Sequence, residues 1–357
     1  MELFFNKHIF FFLGALLFSF FINNILLRFV KTLGIRNDKD IDVRWSAKSK
    51  PALGGLTFYI VFLLSITLHP FVFSYHNIDM DFQTTGMIGA VSLGFLMGLA
   101  DDAYNTKPLL KLIVQIVCGV ILIYSGTYIN LFENNIWNYT LTIVWVVGLM
   151  NSINMLDNMD GITTSVSLII LITILSVMLG HEHNPTYLTI VIGLIATLFC
   201  FLYFNWSPSK MFMGDTGSQF LGITLAGLSI HYLWNPVQNG SDFAISKQFI
   251  IPLLSFIIPI IDTTTVVIKR ASKGKSPFVG GKDHTTHHLS YLGLSEKQVA
   301  IIMLIIAIVA AIMVYVIVNH IPKWMHAYTA IFGGFFLVVF FILFRIANKN
   351  IDKSENK

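Results

Sequence analysis

Long runs of uncharged, apolar residues recur along the chain and restrict the structures that it can form. Residues 161–179 and 298–319, for example, contain no charged side chain, and a helix of about 20 such residues spans the bilayer core. Of the 357 residues, 55% are hydrophobic and only 12% are charged, about half the charged fraction of a soluble domain. A soluble helical core does not supply so many uncharged runs. We therefore predict an all-α, polytopic integral membrane protein embedded in a lipid bilayer.

The apolar segments predict a single transmembrane helical domain over residues 1–347, with about eleven helices. The approximate spans are 8–30, 52–74, 86–101, 109–129, 139–156, 161–179, 186–204, 217–233, 249–268, 298–319 and 326–346. Residues 348–357 are charged, and we expect a short disordered tail there. The first span lacks a small-residue cleavage site, so we expect it to be retained. Cys118 and Cys200 lie inside apolar segments and are predicted to be packing residues.

The distribution of Lys and Arg predicts the orientation of these helices. With eleven spans, the loops on one side carry 20 of the 23 Lys and Arg residues, and the other loops carry only Lys7, Lys247 and Lys323. Because cations stay on the cytoplasmic side during insertion, we predict an outer N-terminus and a cytoplasmic C-terminus. The net charge of +4 reflects this asymmetry. No basic stretch with interleaved aromatic residues indicates nucleic-acid binding.

Polar residues gather in the loops that are predicted to be cytoplasmic. Five clusters lie on that side, whereas the outer loops carry little beyond scattered His, Asn and Tyr. The clusters are 48–55, 101–102, 151–160, 205–218 and 269–288. Five loops that converge at one face favour a catalytic or binding site. An ion-coupled transporter, with charged residues near mid-membrane and often repeated halves, is the alternative from another class, and a scaffold is a second.

Asp101 and Asp102 lie side by side at the end of the predicted third helix. Two carboxylates there oppose the helix dipole and repel each other, so a divalent cation or a bound cationic group would stabilise them. A solvated helix end is the alternative interpretation. Glycines at positions 86, 89, 94 and 98 give the same helix a small-residue face suited to close packing.

Asn151, Asn154, Asp157 and Asp160 recur every three residues and therefore follow one side of a helix. The stripe begins inside an apolar segment, where a polar side chain without a ligand or partner is costly. Carboxylate and amide groups suit Mg²⁺ or sugar hydroxyls, whereas thiol and imidazole would indicate zinc. A polar helix cap is the alternative.

Asp215 stands between two glycines at the start of the predicted eighth helix. Glycine lets the backbone approach a ligand closely, and N–H groups at a helix N-terminus favour phosphate. On its own the motif is weak, since Asp and Ser are also ordinary caps. Lys48 and Lys50, before the second helix, are candidates for contact with an anionic headgroup, and ordinary cytoplasmic positive charges explain them equally well.

The predicted ninth helix ends near Asp262, after which the chain becomes basic and then rich in histidine. A carboxylate this deep needs a partner, for which Arg270 and a backbone N–H are both candidates. His284, His287 and His288 lie within five residues. They suit a phosphate or pyrophosphate better than zinc, because no fourth soft ligand accompanies them. A basic patch for anionic lipid would explain the lysines but not the histidines.

Together, the motifs resemble those of the polyprenyl-phosphate N-acetylhexosamine-1-phosphate transferases of glycosyltransferase family 4. The matching stretches, in family order, are KPALGG, GLADD, NSINMLDNMDG, FMGDTGS and the histidine-rich loop. The resemblance implies transfer of GlcNAc-1-phosphate, or a related sugar phosphate, from a UDP-N-acetylhexosamine to undecaprenyl phosphate, with release of UMP. It also implies a cytoplasmic active site in the bacterial inner membrane and Mg²⁺ as cofactor, with Mn²⁺ as an alternative. A homodimer is left open.

The resemblance also implies roles for single residues. Asp101, Asp102 and Asp157 are expected in catalysis, and Asp215, together with Asp157, in metal binding. Residues expected to bind substrate are Lys48, Asn151, Asn154, Asp160, Arg270, His284, His287 and His288. Attack of the lipid phosphate on the donor's β-phosphorus needs electrostatic stabilisation more than a general base, because a phosphate monoester is mostly dianionic at pH 7. A covalent phospho-aspartyl route is the alternative.

Two details favour the GlcNAc-1-phosphate branch over the phospho-MurNAc-pentapeptide branch, which remains the alternative. The segment from Pro259 through Asp262, followed by Lys269–Arg270 and Ser276–Phe278, resembles the former, and the Pro-x-His-His-His loop typical of the latter is absent. One departure concerns the loop itself. The favoured branch usually has His-x-His-His, but here Thr285 stands at the first His position and His284 precedes it.

Overall fold

The computed structural model describes residues 2–33, 50–73, 81–180, 184–235, 244–276 and 281–349. Within these ranges the chain forms thirteen α-helices and no β-strand, which confirms the predicted all-α class. The helices are α1 (Glu2–Leu33), α2 (Gly54–Phe73), α3 (Phe82–Tyr104), α4 (Pro108–Tyr124), α5 (Asn135–Leu156), α6 (Ile162–Gly180), α7 (Pro185–Asn205), α8 (Gly214–Ser229), α9 (Ile245–Ser255), α10 (Ile257–Ala271), α11 (Thr285–Tyr291), α12 (Glu296–His320) and α13 (His326–Asn348). Lys48 and residues 350–357 of the predicted tail lie outside the described ranges.

The membrane-spanning character of the helices is confirmed. In the described part of the chain, eight helices are long and apolar enough to cross a bilayer, and the bent pair α9–α10 makes a ninth. Each of the eleven predicted segments coincides with a helix or a helix pair. Two of them are shorter: α4 has 17 residues, and α8 has 16, continued by a π-helical turn, Ile230–Trp234. The number of crossings and the orientation stay predictions.

Helix α8 lies at the centre of the fold. Nearly all of its residues are buried, and it packs against α2, α3 and α5. Helices α1, α12 and α13 instead turn most of their apolar side chains outward, where lipid tails are as favourable an environment as other side chains. The first turn of α8, which carries Asp215, therefore begins among the ends of several packed helices.

The predicted ninth span, 249–268, is two helices rather than one. Helix α9 ends at Ser255, α10 begins at Ile257, and their axes differ by 85°. Pro259 supplies the physical reason, because it has no N–H to donate to the carbonyl of Ser255 and its ring disfavours a continuous helix. After the break, α10 carries Asp262 towards the short helix α11 of the histidine-rich loop.

Candidate active site

Backbone pairing joins the segment before α2 to the segment before α8. The N–H of Phe212 donates to the carbonyl of Pro51 at 2.9 Å. The N–H groups of Gly54 and Gly55 donate to the carbonyls of Phe212 and Met213, both at 3.1 Å. The KPALGG and FMGDTGS stretches, which lie far apart in the sequence, are therefore fixed side by side.

Asp102 fastens the end of α3 to the start of α8. Its carboxylate accepts hydrogen bonds from the N–H of Asp215 (3.1 Å), the N–H of Thr216 (2.8 Å) and the hydroxyl of Thr216 (2.7 Å). The two N–H groups lie in the first turn of α8, where they have no acceptor within the helix. Gly214 precedes them with φ of 73°, and a Cβ there would lie 2.5 Å from Oδ2 of Asp102. Asp102 thus caps the N-terminus of α8, although it belongs to a different helix, α3.

Asp101, Lys111 and Asp215 form a charged layer at the same place. The Lys111 ammonium contacts the carboxylate of Asp101 and lies 3.2 Å from Oδ2 of Asp215. Asp101 also accepts from the N–H (2.8 Å) and hydroxyl (2.7 Å) of Thr106. Asp101 is almost fully buried, whereas the side chain of Asp215 is 22% exposed. One cation thus lies between two carboxylates, and one of these carboxylates reaches the surface.

An amide layer lies one helical turn deeper, made of Gln115, Asn151 and Gln219. The amide of Asn151 donates to Oε1 of Gln115 at 2.8 Å, and the amide of Gln115 donates to Oε1 of Gln219 at 3.2 Å. Gln115 and Gln219 are buried, so their polar groups require these partners. The amide layer links α4, α5 and α8 beneath the charged layer.

Asn154 connects the stripe on α5 to the charged layer. Its amide donates to Oδ1 of Asp215 at 3.2 Å and to the hydroxyl of Ser218 at 2.8 Å. Asp157, one turn further along, follows the last residue of α5, and its N–H donates to the carbonyl of Asn154 at 3.3 Å. Asn154 therefore links the stripe on α5 directly to Asp215.

Asp160 belongs to a separate buried cluster. Its carboxylate accepts from the N–H (2.8 Å) and hydroxyl (2.7 Å) of Ser209 and lies 3.2 Å from the ammonium of Lys50. Lys50 also donates to the Ser209 hydroxyl at 2.8 Å and lies over the ring of Phe212. These contacts tie together the loops before α2, after α5 and after α7. Asp160 and Ser209 are the partners that the structure gives to Lys50.

Asp262 organises the start of the histidine-rich helix α11. It accepts from Nδ1 of His284 (2.7 Å) and from the N–H (2.9 Å) and hydroxyl (2.6 Å) of Thr285. The backbone N–H of Thr285 is thus one of the two partners that the sequence left open for Asp262. Arg270 forms a two-pronged pair with Asp283, at 2.9 and 2.6 Å. Thr285, at the departure from the family pattern, therefore serves as a hydrogen-bond partner for Asp262.

The histidine-rich helix reaches the stripe through Asn158. The Thr286 hydroxyl donates to the side-chain oxygen of Asn158 at 2.8 Å. Burial, together with the charge of His284, lowers the pKa of His287 to about 3, so this ring is neutral at pH 7. His287 therefore offers hydrogen bonds rather than positive charge. In the same loop, burial favours the neutral form of Asp283, but the hydrogen bonds and charge of Arg270 hold the pKa of its carboxyl below the usual range.

The structure brings the predicted clusters together, with Lys48 outside the described residues. Asp101, Asp102, Asn154 and Asp215 lie together, and α11 contacts the segment after α5 through Asn158. Sequence reasoning missed Lys111, which it treated only as a cytoplasmic positive charge. The signal that could have found it is a lysine in the second turn of an apolar helix, followed four residues later by a buried glutamine.

Metal-binding capacity is limited to what these carboxylates provide. Among the described residues, no group of three or more His, Cys, Asp or Glu side chains is arranged to hold a metal ion. Asp101 and Asp215 share the Lys111 ammonium, which marks a position where positive charge is favoured. Mg²⁺ in phosphate-binding enzymes is usually held by one or two carboxylates together with waters and substrate phosphates. The donor set therefore fits a Mg²⁺ ion that arrives with a phosphate ligand.

Comparison with known proteins gives a consistent set of relatives. Residues 84–233 match the model of Glycosyl transferase family 4. A probable undecaprenyl-phosphate N-acetylglucosaminyl 1-phosphate transferase of Bacillus subtilis is 28% identical, over 82% of this chain and 79% of the relative. A decaprenyl-phosphate N-acetylglucosaminephosphotransferase of Mycolicibacterium smegmatis is also 28% identical, over 79% and 76%. A phospho-N-acetylmuramoyl-pentapeptide-transferase of Streptococcus agalactiae is 27% identical, over 74% and 82%.

Proposed function

We propose that this chain, whose residues 84–233 match glycosyl transferase family 4, transfers GlcNAc-1-phosphate from UDP-GlcNAc to a polyprenyl phosphate. The activities for which the relatives in Bacillus and Mycolicibacterium are named support this choice. We propose that the acceptor is undecaprenyl phosphate and that the reaction takes place at the cytoplasmic face of the bacterial inner membrane. The reaction would be the first membrane step in the synthesis of a cell-envelope polysaccharide.

One observation carries the proposal: a partly exposed carboxylate, Asp215, lies at a buried helix start where three other polar segments meet. Asp102 holds that helix start from α3, Asn154 contacts Asp215 from α5, and Lys111 contacts it from α4. Such preorganised charges and donors favour a reaction that brings several anions together, as phosphoryl transfer does.

In the proposed reaction, an oxygen of the acceptor phosphate forms a bond to the β-phosphorus of the UDP-sugar. The bond from that phosphorus to the oxygen bridging to the α-phosphate breaks, and UMP leaves with that oxygen. Mg²⁺ would be held by Asp215, with Asp101 as the second candidate carboxylate, and would neutralise charge on the pyrophosphate. Lys111 reduces the repulsion between the two carboxylates, and His287 provides a neutral hydrogen-bonding group.

A direct assay tests the proposal and separates it from its alternative. Purified protein is mixed with undecaprenyl phosphate, Mg²⁺ and one UDP-sugar at a time, and UMP release is measured. We expect release with UDP-GlcNAc, loss of release with EDTA, and recovery on adding Mg²⁺ back. Release with UDP-MurNAc-pentapeptide alone would establish the alternative activity of the relative in Streptococcus agalactiae, and no release with any amino sugar would refute the proposal.

The metal assignment has its own test. Asp215→Asn keeps the size of the side chain but removes the negative charge that would hold a divalent cation. We expect UMP release to fall by at least about 100-fold and the Mg²⁺ concentration for half-maximal rate to rise. Full activity with an unchanged Mg²⁺ requirement would contradict the assignment.

A separate experiment tests the covalent phospho-aspartyl route. Exchange of labelled UMP into UDP-GlcNAc without lipid would support that route, and we expect no exchange.

A further inference from the structure

Lys269 joins three helices next to the proposed site. It lies in the last turn of α10, and its ammonium is 2.6 Å from Nε2 of His288 on α11. The same ammonium donates to the carbonyl oxygen of Ala347, in the last turn of α13, also at 2.6 Å. Lys269 thus adds a polar link where α13 packs against α10 and α11.

The position of this lysine has an electrostatic reason. The last carbonyl groups of a helix have no partner within the helix, and helix C-termini carry partial negative charge. The end of α13 contacts the ammonium of Lys269 through the carbonyl of Ala347. Ala347 is fully buried, so without this donor its carbonyl oxygen would lie in an apolar environment. A cation is therefore favoured here independently of any substrate.

The contact with His288 then determines where the histidine carries its proton. An ammonium group can only donate hydrogen bonds, so Nε2 of His288 must accept. An amine in water holds its proton far more tightly than an imidazole does, which leaves the charge on the lysine. The ring of His288 is consequently neutral and carries its hydrogen on Nδ1. The positive charge is on the lysine side chain behind the ring, not on the ring.

We propose that Lys269 is a positioning residue for sugar-phosphate transfer: held on the end of α13, it fixes the orientation and tautomer of His288 and supplies a positive charge beside the histidine-rich loop. The inference rests on the proposed function, in which His288 belongs to the substrate-binding set. It adds to that function a part for the last helix, α13, which is otherwise largely turned outward.

A cysteine replacement with chemical rescue tests the charge. Cys118 and Cys200 are both buried, so Lys269→Cys adds a thiol that reagents can reach selectively. We expect UMP release to fall about 10- to 100-fold, the range for losing the partner behind a ligand-orienting histidine. Treatment with 2-bromoethylamine restores an ammonium of nearly the same reach and should recover most of the activity. Iodoacetamide, which leaves a neutral group, should not.

The control for this experiment is Lys297→Cys, an exposed lysine in the first turn of α12. It should keep wild-type activity before and after both reagents. Thermal stability is measured in parallel, so that rates are compared per folded protein. Wild-type activity in Lys269→Cys, or equal recovery with both reagents, would overturn the inference. Inactivity of the wild-type protein itself would instead refute the proposed function.

Truncation tests the contribution of α13. A chain that ends at Ile346 lacks the carbonyl of Ala347, whereas a chain that ends at Lys349 keeps the whole helix. We expect the shorter chain to lose activity to about the same extent as Lys269→Cys, and the longer chain to match the full-length protein. Combining the shorter truncation with Lys269→Cys should add little further loss, because both remove one interaction. Full activity of the shorter chain, or additive losses, would overturn the part given to α13.

Discussion

Gly98→Ala tests whether the close contact between α3 and α8 sets the geometry of the charged layer. A Cβ at Gly98 would lie 2.3 Å from the carbonyl oxygen of Asp215 and 2.6 Å from Cα of Thr216. Ordinary contacts begin near 3.4 Å, so the two helices must separate locally by about 1 Å. These neighbours are backbone atoms, which cannot move aside as a flexible side chain does. The separation moves Asp215 away from Asp101 and Lys111.

The expected effect on activity is larger than that on stability. Overpacking costs about 1–3 kcal/mol, and the gain in helix propensity from Gly to Ala offsets about 1 kcal/mol of this. A 1 Å displacement of reacting groups costs about 100-fold in rate. We therefore expect kcat/KM for UMP release to fall about 100-fold, with thermal stability lowered by at most about 2 kcal/mol.

Gly89→Ala is the matched control, because it lies on the same helix and gains the same propensity. Its Cβ would meet nothing nearer than a side-chain carbon of Ile121 at 4.0 Å, and we expect activity within about twofold of wild type. Both variants are assayed for UMP release and for thermal unfolding in one detergent. If Gly98→Ala also retained wild-type activity, the contact between α3 and Asp215 would not determine the site.

Two further predictions concern stability. Because the pKa of His287 is lowered from 6.5 to about 3, the unfolded chain binds a proton there that the folded chain does not. The free energy of unfolding should therefore fall as pH drops from about 6.5 towards 4. Thermal melts of His287→Gln should show a shallower decline with pH, and a decline equal to that of the wild type would contradict this. Asp102→Asn keeps at most two of the three hydrogen bonds to the start of α8 and should cost about 1–2 kcal/mol. A double-mutant cycle with Thr216→Val should show coupling, and strict additivity would contradict the capping geometry.

The convergence of distant motifs was predictable because membrane topology restricts the possibilities. Polar clusters separated by an even number of spans must lie on one side of the bilayer, so the positions of Asp101, Asn154 and Asp215 in the sequence already place them at one face. The contacts between their segments confirm that placement. Hydropathy alone therefore predicts which helix ends lie at the same face, without knowledge of the packing.

The pairing of individual side chains was not predictable in the same way. Lys111 looks like any other cytoplasmic cation until α4 packs against α3 and α8, and only then does its ammonium reach two carboxylates. The partner of Asp262 was similarly open between Arg270 and a backbone N–H, because the break at Phe256 and the start of α11 decide which donors reach its carboxylate. Both outcomes depend on helix rotation and loop geometry, which the period of apolar residues does not specify at the level of single contacts.

The carboxylates of the site share a property that explains how it can be both charged and embedded in an apolar fold. Four of them are satisfied by donors from another segment: Asp101 by Lys111, Asp102 by the start of α8, Asp160 by Lys50 and Ser209, and Asp262 by the start of α11. A buried carboxylate is costly without such partners. The site can therefore form only when these segments are docked together, and substitutions at the helix contacts should reduce activity even where they leave every charged residue in place.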